Sequence, residues 1–224
     1  MSDLVLVDRP ADDVARLTLN RPEKKNALSI QLRDEVSDAL DALGADESVK
    51  VVIVTGAGDT FSAGFDLKEF DGLGDAAYAK RLWDSANRFH RVFIEFPLPL
   101  VAAVNGAALA GGFDVAVMCD IRIAADTARF AHPEQTFSDV LYGPLYDLVG
   151  GAVARDLCFT GRPLDVAEAY RLGFVSRVVP GHDLEAAALE TAGQIVRAPR
   201  DVLVRTKAKA AHRAGLIEGN ALDL

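Results

Sequence analysis

The residues that decide the fold run Val51-Val52-Ile53-Val54-Thr55-Gly56-Ala57-Gly58-Asp59-Thr60-Phe61-Ser62-Ala63-Gly64-Phe65-Asp66. Four β-branched residues in succession, bounded by Gly56, are too short a run for a helix, so Val51 to Val54 read as a buried, central strand. The stretch has a counterpart further along. Leu100 to Val104 is a second apolar strand, and Asn105-Gly106-Ala107-Ala108-Leu109-Ala110-Gly111-Gly112-Phe113-Asp114 is a second glycine-bearing turn, opening into a helix over 113–118. Strands alternating with helices in this way define an α/β domain.

Outward from these two stretches, period-two alternation in Leu4 to Val7 and Val14 to Leu19 predicts a β-hairpin. Leu32, Val36, Leu40 and Leu43 recur at helical spacing behind Ser29 as N-cap, with Gly44 as the stop. Tyr78, Leu82, Ala86, Phe89, Phe93 and Phe96 mark one face of a second helix. Strands are expected over 121–124, 128–131 and 174–179. Pro144 opens a helix carrying Leu145, Leu148, Val149 and Val153, and Asp165 caps another that ends at Gly173. No linker interrupts the series, so a core over 1–180 followed by a helical region over 181–224 is expected, a loose ββα recurrence without a residue-level repeat.

The composition of the 224 residues is that of a folded globule, 50% hydrophobic and 25% charged, with a mean hydropathy of +0.14, which excludes disorder. A formal charge of −9 and a pI near 4.9 give a field that repels nucleic acid and anionic membrane, so an anionic ligand must be held locally. Cys119 and Cys158 sit among apolar neighbours without a C-x-x-C pair, which predicts reduced core thiols, no structural zinc and a cytoplasmic protein. The N-terminus lacks the features of a leader, and the apolar stretch 97–113 carries two prolines and a glycine cluster that a lipid-spanning helix would not tolerate. No membrane partner is expected.

Glycine lets backbone N–H groups approach a ligand closely, and a helix starting just after Gly111 aims its unpaired N–H groups into the same place. Such a pair of turns can bind an oxyanion; equally, the glycines could do no more than reverse the chain. Gly56-x-Gly58-x-x-Phe61 lacks the third glycine of a dinucleotide fingerprint, neither turn ends in G-K-[ST], and Ser62 is not in a G-x-S-x-G elbow. These absences argue against NAD, ATP and serine-hydrolase chemistry.

The ordered strings Leu19-Asn20-Arg21-Pro22-Glu23-Lys24-Lys25-Asn26-Ala27-Leu28, Phe61-Ser62-Ala63-Gly64-Phe65-Asp66-Leu67-Lys68, Asn105-Gly106 through Gly111-Gly112, Cys119-Asp120, Ala124-Ala125-Asp126, Phe130-Ala131-His132-Pro133-Glu134 and Gly161-Arg162 resemble the crotonase (enoyl-CoA hydratase/isomerase) superfamily. The resemblance, extending over about 4–212, implies a spiral of ββα units with a helical C-terminal region, assembled as a homotrimer or a dimer of trimers. It implies an acyl-CoA thioester as substrate, no cofactor beyond that CoA and no metal. It places the oxyanion hole at the N–H groups of Phe65 and Gly111, and the substrate and CoA contacts at Lys24, Lys25, Ala27, Ala63, Gly64, Asp66 and Leu67. Arg21, Lys24 and Lys25 would then supply local positive charge for CoA phosphates; without the resemblance, these lysines are ordinary solvated surface.

Asp114 and Glu134 fall where hydratases of this family carry catalytic glutamates. Two neighbouring carboxylates cannot both ionise freely, so they make an acid/base pair. Taken alone, Asp114 would be a first-turn helix acid favoured by the dipole, and Glu134 an exposed residue. His132, two residues before Glu134, and Asp139 and Tyr142 in the loop beyond it are further pocket candidates. Asp147 lies just after that loop. The loop lacks the Gly-x-x-Pro of typical hydratases and has Tyr142-Gly143-Pro144 instead, and the chain carries fewer residues after its basic run Arg205, Lys207, Lys209 and Arg213 than most relatives. The leading expectation is hydration of a trans-2-enoyl-CoA. An enoyl- or dienoyl-CoA isomerase is the alternative, since aspartate at 114 also occurs in isomerase branches, and a non-catalytic acyl-CoA-binding protein is the third reading.

Overall fold

The computed structural model describes residues 3–213; the last stretch of the expected C-terminal region, 214–224, lies outside the described residues. Along the chain, β1 (Val5–Ala11) and β2 (Val14–Leu19) form the expected antiparallel hairpin, with Val5 opposite Leu19. Helix α1 (Ile30–Ala45) begins at Ser29, whose Oγ accepts the Leu32 N–H at 3.3 Å. It runs through Gly44, the expected stop, and ends one residue later. Gly44 stays helical because its carbonyl accepts Arg200 Nη2 at 2.8 Å, which satisfies an end group without a left-handed cap.

Next come β3 (Val51–Gly56), β4 (Thr60–Ser62) and α2 (Ala76–Glu95), the last capped by Asp75 accepting the Ala77 and Tyr78 amides at 2.8 and 2.9 Å. The same order repeats as β5 (Leu100–Val104), β6 (Ala107–Leu109) and α3 (Gly111–Met118). The stretch expected as a simple turn over 106–112 thus contains a strand, because β6 pairs in parallel with β4 and β4 offers it an open edge. A third cycle brings β7 (Ile121–Ala125) and β8 (Arg129–Ala131). The single helix expected from Pro144 divides into α4 (Gly143–Val149) and α5 (Gly151–Thr160) at Gly150, whose φ of 77° no right-handed helix can absorb. After β9 (Leu164–Asp165) and α6 (Val166–Arg171), capped by Asp165, the strand expected over 174–179 shortens to β10 (Arg177–Val179). Phe174 and Val175 are core residues outside any strand. Helices α7 (Leu184–Ile195) and α8 (Arg200–Arg213) follow.

Each cycle therefore gives one strand to each of two sheets before its helix, which is the ββα spiral. The large sheet has the order β1-β2-β3-β5-β7-β10 and the small one β4-β6-β8-β9. Only the β1–β2 pair in the first and the β8–β9 pair in the second are antiparallel. Val51 and Ile53 project with Val101, Ala103 and Ile123 onto the face covered by α7, while Val52 and Val54 project with Ala102 and Val104 into the main core. Burial on both faces is why these strands read as continuous apolar runs instead of alternating ones. Cys119 and Cys158 are free and buried within the core, and burial pushes their thiols up to about 12 and about 11, which keeps them inert. Among the described residues, no helix is long and apolar enough to cross a membrane.

Candidate active site

Because β4 and β6 are parallel neighbours, with Thr60 beside Ala107, the turns leaving their C-terminal ends meet. The contact is close: a Cβ built on Gly64 would lie 2.6 Å from the Ala110 Cβ and 3.1 Å from the Gly111 nitrogen, and Gly64 itself has φ +86°. A Cβ on Gly111 would meet the Phe65 ring at 2.8 Å. Glycine is thus required at both positions by the approach of one turn to the other. Between them Ala110 adopts φ 51°, ψ −130°, a conformation an L side chain rarely takes.

Two backbone donors emerge from this junction. Phe65 forms a parallel bridge with Leu28, in which the Leu28 N–H donates to Gly64 O at 2.8 Å and the Asp66 N–H to Leu28 O at 3.4 Å. Those bonds use the amides on either side of Phe65. Gly111 is the first residue of α3, whose opening N–H groups have no acceptor within the helix. Among the described residues neither the Phe65 nor the Gly111 amide donates a hydrogen bond. From behind, the Arg33 guanidinium lies 4.5 Å over the Phe65 ring, with its Nη1 donating to Leu28 O at 2.6 Å.

Asp114, on the first turn of α3, and Glu134, in the short 3-10 turn Pro133–Thr136, line a cavity of about 200 Å³ together with Phe65, Gly111, Trp83 and Phe137. His132 sits behind them, 1% exposed and stacked on Phe113 at 4.6 Å. Its Nδ1 is 3.0 Å from Glu134 Oε1 and 3.8 Å from Asp114 Oδ1. Burial alone would lower its proton affinity, but the hydrogen bond to Glu134 and the charges of Asp114 and Glu134 outweigh burial and raise it above the ordinary histidine value. Asp114 Oδ1 and Glu134 Oε2 are buried and without a hydrogen-bond partner.

The other expected residues divide into two groups. Ala63, Leu67 and Asp139 line the same cavity. Tyr142 instead borders a neighbouring cleft beside Arg155 and Phe159, and Asp139 lies between the two spaces. Asp66 accepts Arg21 Nη1 at 2.7 Å and caps the turn that follows, and its carboxyl stays below the usual carboxylate range: burial works against ionisation, but the bonds from Arg21 and the Lys68 amide outweigh it. Arg21 is therefore neutralised locally and also holds Ala27 O at 3.1 Å. Lys24 and Lys25 are exposed, and the Lys25 carbonyl accepts the Ala63 N–H at 2.9 Å, which ties their turn to the pocket rim.

Sequence reasoning missed His90, Phe70 and Trp83, all of which line the cavity. Trp83 and His90 lie seven residues apart on α2 and so share one stripe of the helix. The available signal was an ionisable ring set within that helix's apolar series. One ligand atom from each of Asp114, His132 and Glu134 lies within 4.8 Å of the others, a spacing that would admit a cation. The His132–Glu134 hydrogen bond, with Glu134 ionised, puts a hydrogen on Nδ1 and so occupies the ring atom that would face such an ion, while Asp114 Oδ1, Glu134 Oε2 and His132 Nε2 have no hydrogen-bond partner.

Such a spiral, with carboxylates set beside unpaired backbone donors in an apolar cavity, defines an enzyme of acid–base chemistry. The family model for enoyl-CoA hydratase/isomerase matches residues 10–222. A probable enoyl-CoA hydratase of Mycobacterium tuberculosis is 41% identical over 198 residues, covering 86% of this chain and 75% of its own length. The crystal structure of an enoyl-CoA hydratase/isomerase from Xanthobacter autotrophicus Py2 superposes with a TM-score of 0.88 at 34% identity, covering 96% of this chain and 81% of that one. A monofunctional enoyl-CoA isomerase from M. smegmatis gives a TM-score of 0.83 at 32% identity, covering 99% and 98%. The chain belongs to the enoyl-CoA hydratase/isomerase family, and its fold is the crotonase spiral.

Proposed function

We propose that this enzyme adds water across the double bond of a trans-2-enoyl-CoA. The observation that carries the reading is the pair of buried, unpartnered carboxylate oxygens, Asp114 Oδ1 and Glu134 Oε2, beside the undirected amides of Phe65 and Gly111. In this reading the thioester oxygen accepts both amide N–H groups. As hydroxide oxygen bonds to C3, negative charge moves onto that oxygen, and donors already fixed in place stabilise it by roughly 3–4 kcal/mol each. Glu134 takes the proton leaving the water and Asp114 delivers one to C2, so that water is added and the two carboxyl groups end with their proton count unchanged. His132 keeps Glu134 oriented by holding its other oxygen.

Lys24, Lys25 and Ala27 would meet the CoA moiety at the rim, with Ala63, Gly64 and Leu67 along its path and Asp66 acting by bracing that path. The enzyme would work in the cytoplasm as a homotrimer or a dimer of trimers, without a metal or a cofactor beyond the CoA of its substrate; the support for this is family resemblance. The second reading, enoyl-CoA isomerase, draws on Asp139, a third carboxylate on the same cavity, which could pass a proton between carbons with Asp114. Crotonyl-CoA hydration measured against 3-enoyl-CoA isomerisation separates the two. Asp114→Glu should preserve hydration if water addition is native. A wild type that isomerises robustly, and a variant that loses isomerisation roughly a hundredfold through a displacement of about 1 Å without gaining hydration, would overturn the hydratase reading. Tight CoA-ester binding without turnover of any ester would point to the third reading.

A further inference from the structure

His90 lies on α2, 2% exposed, and its two ring nitrogens face different partners. Nδ1 is 2.9 Å from the Ala86 carbonyl oxygen, which can only accept, so Nδ1 carries a hydrogen. In a neutral imidazole Nε2 would then be a bare lone pair. Yet Nε2 lies 3.4 Å from Asp114 Oδ2. A bare nitrogen facing an ionised carboxylate is two acceptors in contact in a buried site, an arrangement with no attraction and a desolvation cost on both sides. One proton between them removes the conflict.

We infer that His90 is a positioning residue that holds a proton on Nε2 against Asp114 Oδ2, forming an imidazolium–carboxylate pair that keeps Asp114 supplied with the proton it passes to C2. This assigns different duties to the two carboxylates and rests on the hydratase reading for that final transfer. His132 partners Glu134, the carboxylate that receives the proton from water, and His90 partners Asp114, the one that gives. During turnover the His90 Nε2–H proton moves onto Asp114 and from there forms the new C2–H bond, which leaves His90 neutral, and the proton gathered by Glu134 returns to His90 through pocket water, so nothing is consumed beyond the water added. The charged groups that share the cavity with His90 are Asp114 on α3, Glu134 beyond β8 and Asp139 in the following loop; His132 lies 3.8 Å from the other Asp114 oxygen, and Arg33 of α1 lies across the Phe65 ring. The His90 ring also fills space, at 5.8 Å from Phe89 and 6.0 Å from Phe65, so a test must separate its charge from its packing.

Nitrogen-15 NMR of the imidazoles does this without reference to turnover. At pH 6.5 the wild type should show both His90 nitrogens in the protonated range, and Asp114→Asn should return Nε2 to the bare range at the same pH. A bare Nε2 in the wild type, unchanged by Asp114→Asn, overturns the inference whatever reaction the enzyme performs. Kinetics give the second arm. His90→Gln can still donate a hydrogen bond but has no proton it can give up near neutral pH, and His90→Phe keeps the ring volume. Both should lower kcat for crotonyl-CoA by 10- to 100-fold, leave KM within threefold, and lose the alkaline limb of the kcat–pH profile. Full kcat and an unaltered pH profile in folded His90→Gln would likewise overturn it. A protonated Nε2 in an enzyme that hydrates no enoyl-CoA would leave the ion pair standing and refute the hydratase reading instead.

Discussion

Glu134 is placed to exchange a proton because one of its oxygens is tied to His132 while the other has no partner. Glu134→Gln keeps the shape and the first contact but cannot move a proton, so hydration should fall by about 10²–10⁴ while CoA-ester affinity stays within a few-fold; steady-state kinetics beside calorimetric titration of a non-reactive acyl-CoA checks both halves. His132 gives a pH prediction. Its proton affinity is raised in the folded state, so its contribution to stability is complete below the ordinary histidine range and disappears as pH rises through the raised folded value. Melting temperature measured from pH 6 to 9 should therefore decline more in the wild type than in His132→Gln. Asp114 and Glu134 were legible as site residues only because the family pattern marked them. His90 was not, because pattern reading treats a histidine inside an apolar helix stripe as packing, and only the position of the Ala86 carbonyl shows which nitrogen is left to face Asp114.

At the scale of elements, α1, α2 and the Phe65 turn converge on Arg33. Its guanidinium is 1% exposed, donates to Leu28 O, Leu82 O and Ser85 Oγ, and lies 3.7 Å from Glu69. Glu69 in turn accepts the Ile30 N–H at the start of α1. Arg33→Met leaves three acceptors and a carboxylate without their cation, which should cost about 3 kcal/mol in urea unfolding, the scale for one partner removed from a buried pair. Because Phe65 loses its backing, kcat should fall more than KM rises. Helix starts were legible at Ser29 and Asp165, whose side chains cap them, but not at Asp75, the cap of α2. The break between α4 and α5 was not. Its cause is the backbone angle at Gly150, and the sequence permits glycine either conformation. Strand β6 was hidden for a related reason: three residues paired to a distant three-residue neighbour leave no local period to read.

For the whole molecule, the central sheet was readable from continuous apolar runs, whereas the second sheet depends on pairings between very short strands from distant parts of the chain, as from Ser62 to Ala108 and from Phe130 to Leu164. Phe137 and Phe159, at the rims of the two adjacent cavities, are 64% and 74% exposed. If the enzyme assembles as proposed, light scattering after size exclusion should give three or six chains per particle, and a double Phe137→Ser, Phe159→Ser variant will show whether these rings are used in assembly, by remaining multimeric if they are not.

The contact of Gly64 with Ala110 also limits how this enzyme could have diverged. The Ala110 methyl occupies the space that a side chain at 64 would need, and it does so at φ 51°, where a glycine would relieve about 1–3 kcal/mol of strain. Any larger side chain would keep that strain and, from a residue that lines the cavity, take up space beside the Gly111 donor. Position 110 should therefore tolerate two residues, alanine and glycine, and a saturation library selected for activity should return little else. The choice between those two sets how tightly the Gly111 donor is held: with glycine, residues 110 to 112 become three consecutive glycines, and an Ala110→Gly enzyme should gain thermal stability while losing turnover. A lineage adapting to heat and one selected for speed would then part at this single methyl.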